Sequence, residues 1–378
     1  MMKRYIVSII SSVFLFSCAS QKLSQQKTIK QLGLIDEYIL PNNTQFKGTT
    51  VGGLSSIDYS PEENLFYFIC DDRSDINPIR FYTAKIVLNT KGFENIELVN
   101  VTNLLEPNGQ PFHNRKQDPL GVPDPEAMRY NPETKTFIWS SEGERTVRAN
   151  QAFLTNPTVY IANKNGQYID TFSLPLNLHI KATEEGPRNN GVFEGVALST
   201  DNKKLFVSVE EPLYEDGHRA GVNDSSGWVR FIQYDIETKQ PIAQYAYQID
   251  PVVQEPIPKG AFKVNGVTDI LTVNDHQLLV TERSYSAGRI SNNIRTYLAE
   301  MNGAENIASN RSLKNNLAKK PLQKKLLLNM DDLSKPVYNI EGATLGPVLP
   351  NGKQSLIFVS DNNFADDQRT QFLLFEID

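Results

Sequence analysis

Acidic residues recur at matching places along this chain, and their chemistry suits cation binding or proton transfer. The stretch FEGVALSTDNKKLFVSVEEPL (193–213) opens with Glu194 and closes with Glu210 and Glu211. Calcium takes about six to eight oxygen ligands from carboxylates, carbonyls and water, and a carboxylate without metal can act as a general base. The arrangement of these acids therefore decides whether the chain carries a site for metal-assisted chemistry.

Four further stretches also begin or end with acidic residues, and arginines lie next to some of these acids. The acids at strand openings and strand ends are Asp71, Asp72, Glu126, Glu142, Glu194, Glu210, Glu211, Glu282, Glu341 and Asp361, and the arginines among them are Arg73, Arg145 and Arg283. Crowded carboxylates repel one another unless arginines or a cation neutralise them. Because arginines stand beside only three of the acidic ends, we favour a cation site over a ring of ion pairs.

Each acidic stretch is predicted to form a β-hairpin, because two apolar strand-like runs flank a turn rich in Pro, Asp, Asn or Gly. The other copies are GGLSSIDYSPEENLFYFICDDR (52–73), PEAMRYNPETKTFIWSSEGER (125–145), NGVTDILTVNDHQLLVTERSY (265–285) and IEGATLGPVLPNGKQSLIFVSDNN (340–363). They recur at intervals of roughly 70 residues, which is typical of a repeat architecture. More strand-like sequence follows each hairpin.

Two inner and two outer strands make a four-stranded antiparallel unit, and such units arranged radially form a β-propeller. Five repeats predict an all-β propeller of five blades, with a divergent sixth blade as an alternative. The last repeat ends at FLLFEID with one strand too few, so we predict that the N-terminal strand QLGLIDEYILP (31–41) completes the last blade. A β-sandwich or two β-domains fit a long-period repeat less well.

The propeller prediction also predicts where the acids lie. The start of the innermost strand and the end of the second strand lie on one face of a blade. The acidic ends of all the hairpins are therefore expected to meet around one rim.

Composition limits the classes of partner. The chain has 378 residues, of which 39% are hydrophobic, and its formal net charge is −6. The negative charge and the lack of a long basic stripe argue against nucleic acid as a partner. We expect a monomeric protein. The four histidines are not spaced as zinc ligands, and no Gly-x-Ser-x-Gly motif occurs, which argues against zinc and α/β-hydrolase chemistry.

The N-terminus resembles a bacterial lipoprotein signal. A basic start and a short apolar run precede Leu15-Phe16-Ser17-Cys18, which predicts a signal peptide over 1–17 and lipidation of Cys18. Residues 18–30 are predicted to be a flexible tether, and 31–378 the propeller domain. We therefore expect a cell-envelope protein held at the outer membrane by its lipid alone; an ordinary secreted protein is the alternative. Cys70 lies in an apolar run and is expected to pack as a small hydrophobic residue.

Four motifs resemble the phytase-like propeller family, whose members are described as having esterase-like activity of phytase. They are Asp-Pro-Glu-Ala (124–127), Gly-Val-Phe-Glu-Gly-Val-Ala-Leu-Ser (191–199), Thr-Glu-Arg-Ser (281–284) and Ile-Glu-Gly-Ala (340–343). The resemblance implies a secreted or lipid-anchored bacterial propeller that cleaves phosphate or carboxylic esters of small molecules. Gly52-Gly53 and Asn265-Gly266 replace the Glu-Gly of other openings, so those two blades are expected to supply no ligand from that strand.

A phosphoesterase mechanism assigns each candidate a role. Calcium is expected to bind Asp72, Glu126, Glu194, Glu210, Glu341 and Asp361, while Arg73, Arg145 and Arg283 hold the phosphate oxygens and Glu142 or Glu211 acts as general base. Two alternatives remain open. One is a non-catalytic lipid-anchored propeller that binds a protein, glycan or small ligand, and the other is a lactonase-like calcium propeller; the fold does not decide among them.

Overall fold

The computed structural model describes residues 28–118, 121–149, 151–224, 227–289 and 292–378. These residues form β-strands and three short 3-10 turns, and none of them lies in an α-helix. The turns are Leu176–Leu178, Tyr214–Asp216 and Met330–Asp332. Within these ranges, no helix has the length and apolar character needed to cross a lipid bilayer. The predicted signal peptide and Cys18 lie outside the described residues.

The chain begins with an edge strand and a small hairpin before the first two blades. In chain order the strands are β1 (Leu32–Leu40), β2 (Gln45–Phe46), β3 (Thr49–Thr50), β4 (Leu54–Ser60), β5 (Leu65–Cys70), β6 (Arg80–Asn89), β7 (Gly92–Asn103), β8 (Pro125–Asn131), β9 (Thr136–Ser141), β10 (Glu144–Arg148), β11 (Gln151–Thr155), β12 (Thr158–Asn163) and β13 (Tyr168–Thr171). The first blade is β4-β5-β6-β7 and the second is β8-β9-β12-β13, from which β10 and β11 project as a separate hairpin.

The remaining three blades follow the same plan. Their strands are β14 (Phe193–Leu198), β15 (Lys204–Val209), β16 (Trp228–Asp235), β17 (Pro241–Gln248), β18 (Lys263–Asn274), β19 (Gln277–Ser286), β20 (Asn293–Glu300), β21 (Gln323–Asn329), β22 (Asn339–Val348), β23 (Gln354–Asp361) and β24 (Thr370–Ile377). Each sheet is antiparallel and four-stranded, so the five-bladed propeller is confirmed.

The last blade is completed by the N-terminal strand, as predicted. β1 pairs antiparallel with β24, from Leu32 opposite Ile377 to Leu40 opposite Thr370. Pairing extends before β1, because the Lys30 amide donates to the Asp378 carbonyl at 2.8 Å and Ile29 is buried. The packed domain therefore includes two residues that the sequence analysis assigned to the tether.

The hydrophobic core is divided among the gaps between neighbouring blades. Five apolar clusters occupy these gaps, and each draws side chains from two adjacent sheets. Between the fifth and first blades, for example, Phe68 packs edge-on against Phe372. Cys70 lies in this cluster as a buried free thiol, which confirms its predicted packing role. Burial of each large side chain stabilises the ring by roughly 1.5–3 kcal/mol.

The five inner strands surround a central ion pair, which we call the Arg129–Asp269 plug. The Arg129 guanidinium, from β8, donates to the carbonyl oxygens of Ile57 (2.5 Å) and Val196 (2.7 Å). It also contacts both carboxylate oxygens of Asp269, at 3.0 and 3.2 Å. Asp269 in turn accepts a hydrogen bond from the Ala343 amide at 2.7 Å. One arginine and one aspartate therefore connect β4, β8, β14, β18 and β22 on the axis.

Candidate active site

The hairpin register brings strand openings and strand ends to one end of the propeller axis. Pro125 lies opposite Ser141, Phe193 opposite Val209, and Asn339 opposite Asp361. Glu126 and Glu142 directly follow the first of these pairs, and Glu194 and Glu210 directly follow the second. In the last pair Asp361 is itself the residue opposite Asn339, and Glu341 lies two residues after Asn339. All six acids therefore lie at the same edge of their blades.

A β-bulge directs three of the glutamates toward the centre. The strand register shifts between Pro125 and Met128, between Phe193 and Val196, and between Ile340 and Gly342, so each shift spans a glutamate. A bulge leaves one residue unpaired and turns its side chain. The side chains of Glu126, Glu194 and Glu341 therefore do not follow the regular alternation between the two faces of their sheets.

The glycine that follows two of these glutamates is required by close packing. A Cβ atom on Gly195 would lie 2.6 Å from the Ile270 amide nitrogen, and one on Gly342 would lie 2.8 Å from the Cα atom of Ser56. Both neighbours belong to the inner strand of an adjacent blade. In each Glu-Gly pair, the glutamate therefore supplies a carboxylate to the site, and the glycine allows the neighbouring inner strand to approach closely enough for the ring to close.

Five carboxylates form the acidic cluster, which we define as Asp71, Asp124, Glu126, Glu142 and Glu194. Ligand atoms of the first three lie within 4.8 Å of one another, and so do those of the last three, with Glu126 common to both groups. Glu142 is 1% exposed, and its Oε1 atom accepts from the Val192 amide at 2.7 Å. Its Oε2 atom is buried and has no hydrogen-bond partner among the described residues.

Burial and mutual repulsion disfavour the charged form of this cluster. Burial, and then the neighbouring carboxylates, raise the pKa of Asp71, Glu126, Glu142 and Glu194 well above the ordinary values. Burial also raises the pKa of Asp124, although the Arg73 guanidinium opposes that shift. Without a cation, the folded protein therefore keeps protons on these groups at higher pH than the unfolded chain does.

A second group of acids is already neutralised by an arginine from the fourth blade. The Arg283 guanidinium donates to Glu341, to Asn339 Oδ1 at 2.7 Å and to Glu210 at 3.1 Å. Burial raises the pKa of Glu210 to about 7, although Arg283 opposes the shift. The buried Oδ2 atom of Asp361 has no partner among the described residues, and burial raises the pKa of this group. Arg283 thus pairs with Glu210 and Glu341. The acids of this second group still repel Asp71, Glu142 and Glu194 of the acidic cluster.

Asp72 does not join the acidic cluster. One of its oxygens accepts from the Arg80 guanidinium at 2.7 Å and from the Asn77 amide at 2.8 Å. The other accepts from the amides of Asp75 (2.9 Å) and Ile76 (3.1 Å). Both oxygens hold the connection between β5 and β6, so we remove Asp72 from the proposed ligand set and put Asp71 in its place.

Arg145 and Glu282 also lie in other networks. Arg145 directs its guanidinium to the carbonyl oxygens of residues 181–183 and stacks over the Tyr214 ring. Glu282 accepts from the Tyr247 hydroxyl, from the Asn265 side chain and from other donors around it. Arg145 fixes a loop, and Glu282 is a satisfied internal acceptor whose partner Asn265 replaces the glutamate of other openings.

Arg73 and Asp124 form a pair that the sequence analysis did not connect. Arg73 bridges Asp124 at 3.2 Å and Glu144 at 3.1 Å. The sequence motif Asp-Pro-Glu-Ala (124–127) contains Asp124, which lies directly before β8 at the same end of the blade as Glu126. The expectation that acids at strand openings meet at one rim could have added Asp124 to the candidates.

An open cleft, which we call the side cleft, is lined by Glu210, an electrostatic neighbour of Glu142 and Glu194 in the acidic cluster. It has a volume of about 850 Å³ and extends over the third, fourth and fifth blades. Glu210, Glu211, Arg283 and Asn339 line it on the side of the axis. Glu211 is buried and pairs with Arg219. A substrate in this cleft would contact Arg283 and Glu211.

The raised pKa values predict how stability depends on pH in the metal-free protein. Between the ordinary carboxyl range, about pH 4, and the raised folded values, the folded state holds more protons than the unfolded chain, so the free energy of unfolding falls as pH rises. In EDTA, we expect the melting temperature to fall from about pH 5 to about pH 7, the value to which burial raises the pKa of Glu210. Scanning calorimetry of the metal-free protein over this pH range tests the expected fall in melting temperature. A melting temperature that rises with pH would mean that arginines neutralise the cluster.

A closed five-bladed propeller with buried carboxylates at one end of its axis defines the class of this protein. The chain also matches the phytase-like family, described as "Esterase-like activity of phytase", over residues 49–364, and it belongs to that family. An uncharacterized secreted protein of Arthroderma benhamiae is 28% identical over 165 residues, which cover 40% of this chain and 30% of that protein. The chain thus matches less than a third of the length of this relative.

The solved structures that this chain matches are distant in sequence. A protein of unknown function from Dyadobacter fermentans is 11% identical, with 93% of this chain and 100% of that chain covered and a TM-score of 0.44. A xylan β-1,4-xylosidase from Bacillus halodurans has the same identity and TM-score, with 87% of this chain and 53% of that chain covered.

Proposed function

We propose that this protein is a hydrolase of ester bonds, phosphate or carboxylic, that uses calcium at the acidic cluster. The observation that carries the proposal is the convergence of five carboxylates, one with a buried and unpartnered oxygen, at the end of the axis beside an open cleft. Burial of several like charges is costly and serves no packing purpose. Membership of a family described by esterase-like activity supports the same reaction class.

The residues present fit a hard cation. Two ligands of one calcium ion lie at most about 5 Å apart, because each Ca–O distance is about 2.4 Å. The two groups of ligand atoms meet this limit, since their atoms lie within 4.8 Å of one another. All their donors are carboxylate oxygens, which favours calcium or magnesium over zinc or copper. Glu126, Glu142 and Glu194 would hold the ion, with Asp71 and Asp124 as further ligands.

The surrounding residues provide the rest of the chemistry. When bound, calcium supplies positive charge that polarises the ester and eases deprotonation of water. Arg283 at the base of the side cleft holds an anionic oxygen of the substrate. Glu211 takes a proton from the attacking water, whose oxygen bonds to phosphorus or to the carbonyl carbon. As the bond to the alcohol oxygen breaks, Glu211 returns the proton to the leaving alcohol. Arg73 positions Asp124.

The location is also part of the proposal. We infer a lipid-anchored, monomeric protein of the cell envelope, supported by the lipobox-like sequence before Cys18. A Cys18→Ala variant is expected to move from the membrane fraction to the soluble fraction. Wild-type protein that is already soluble would contradict the anchor.

A calcium titration of the purified protein tests the function. At a calcium concentration about 100 times Kd, binding stabilises the folded state by about 2.7 kcal/mol. We expect the melting temperature to rise, and hydrolysis of p-nitrophenyl phosphate or p-nitrophenyl acetate to begin, with both effects reversed by EDTA. Stabilisation without hydrolysis of any ester would indicate a non-catalytic binding propeller. If calcium changes neither the melting temperature nor the rate of hydrolysis, the acidic cluster has a structural role and does not bind calcium.

A further inference from the structure

The side cleft has a lining that is rich in neutral amides. Asn190, Asn363 and Gln368 line it, and their side-chain amides make no hydrogen bond to another described residue. Each amide offers both a donor and an acceptor group. The cleft therefore presents unused hydrogen-bonding groups of both kinds to whatever enters it.

An aromatic surface forms another part of the lining. Phe262 and Tyr285 are 53% and 39% exposed, and their ring centroids lie 6.1 Å apart. Arg219 lies over the Phe262 ring at 5.5 Å and so holds it in place. Exposed aromatic rings in a concave site gain free energy when an apolar surface covers them.

The charges around the side cleft do not suit a polyanion. Its acids are Glu210, Glu211 and Asp367, and its cations are Arg283 and Arg289. Arg283 is already paired with Glu210, and Glu211 with Arg219. A ligand with several phosphate groups needs several unpaired cations. The lining therefore disfavours a highly phosphorylated molecule.

We infer that the side cleft binds an uncharged sugar ring, which forms the alcohol part of the substrate. A sugar ring has C–H faces that pack on Phe262 and Tyr285, and hydroxyl edges that match free amides. A lipid chain would leave the amides unpaired, and its binding would be opposed for that reason. The inference rests on the proposed function only in placing the ester bond next to the acidic cluster.

Binding of cellobiose, measured by saturation-transfer NMR in calcium and in EDTA, tests the inference without any need for turnover. We expect transfer to the ring protons of the sugar, and about five-fold weaker binding in Phe262→Ala and Tyr285→Ala. Leu176→Ala is the control, because Leu176 is exposed and does not line the cleft. Melting temperatures verify that each variant is folded.

Three results would overturn the inference: no transfer from wild-type protein, equal affinity in all variants, or inositol hexakisphosphate binding more tightly than cellobiose. The outcome is separable from that of the proposed function. If cellobiose binds but no ester is cleaved, the sugar site is supported and the proposed hydrolase activity is wrong. If esters are cleaved but cellobiose does not bind, the hydrolase activity is supported and the sugar site is wrong.

Discussion

Glu126→Gln is expected to abolish calcium-dependent ester hydrolysis, by about 100-fold or more, and at the same time to stabilise the metal-free protein. Glu126 is the residue common to both groups of ligand atoms, so its loss affects all of the proposed ligands. Glutamine keeps the size of the side chain but removes a charge that burial and four nearby acids disfavour. The gain in unfolding free energy in EDTA should be about 1–3 kcal/mol.

Glu282→Gln is the matched control for this experiment. Glu282 is also a buried glutamate of a second strand, 1% exposed, but it lies within β19 and accepts hydrogen bonds from Tyr247, Asn265 and Lys324. Its neutralisation weakens these bonds and should lower stability while the calcium response remains. Urea unfolding with and without calcium separates the two variants. If Glu126→Gln destabilised the protein as Glu282→Gln does, the acidic cluster would be an ordinary satisfied network.

Arg129→Met should lower the free energy of unfolding by about 3–5 kcal/mol, because it leaves the buried Asp269 carboxylate without its cation. It also removes the donor that joins the carbonyl oxygens of Ile57 and Val196. Since these groups belong to three different inner strands, the loss is expected to act on the whole ring. Urea unfolding followed by tryptophan fluorescence measures it.

Two further variants identify the cause of that loss. Arg129→Met combined with Asp269→Asn removes the uncompensated charge but keeps an acceptor for the Ala343 amide, so part of the stability should return. Arg148→Met removes an exposed arginine of the projecting hairpin and should change little. A loss below about 1 kcal/mol for Arg129→Met would show that the plug is not needed to close the ring.

The repeat pattern made the fold predictable. Each repeat alternates apolar strands with turn residues at a regular interval, and the unpaired first strand matches the missing last strand. Closure of the ring by β1 follows from this pattern and is confirmed. The projecting hairpin of β10 and β11 was not predicted, because nothing in its local sequence distinguishes it from blade strands.

The site could be predicted only in part, because equivalent positions have different neighbours. Asp71 and Asp72 are adjacent, so their side chains point in different directions, and sequence does not say which one faces the axis. Glu142 and Glu282 occupy equivalent places in the sequence repeats, yet only Glu282 is surrounded by several donors from distant parts of the chain. Such partners depend on tertiary packing, which no local pattern records.

The pairing of β1 with β24 also sets an order of events during biosynthesis. Leu40 finds its partner Thr370 only after the intervening segment, which contains the first four blades, has been made. Until then the first strand is an unsatisfied edge, and contacts between segments so far apart form slowly. A nascent molecule therefore stays open until β24 has been made. Closure of the ring by β1 is then expected to be the last step of folding, so a polypeptide that stops before β24 would leave the fifth blade incomplete and the ring unclosed.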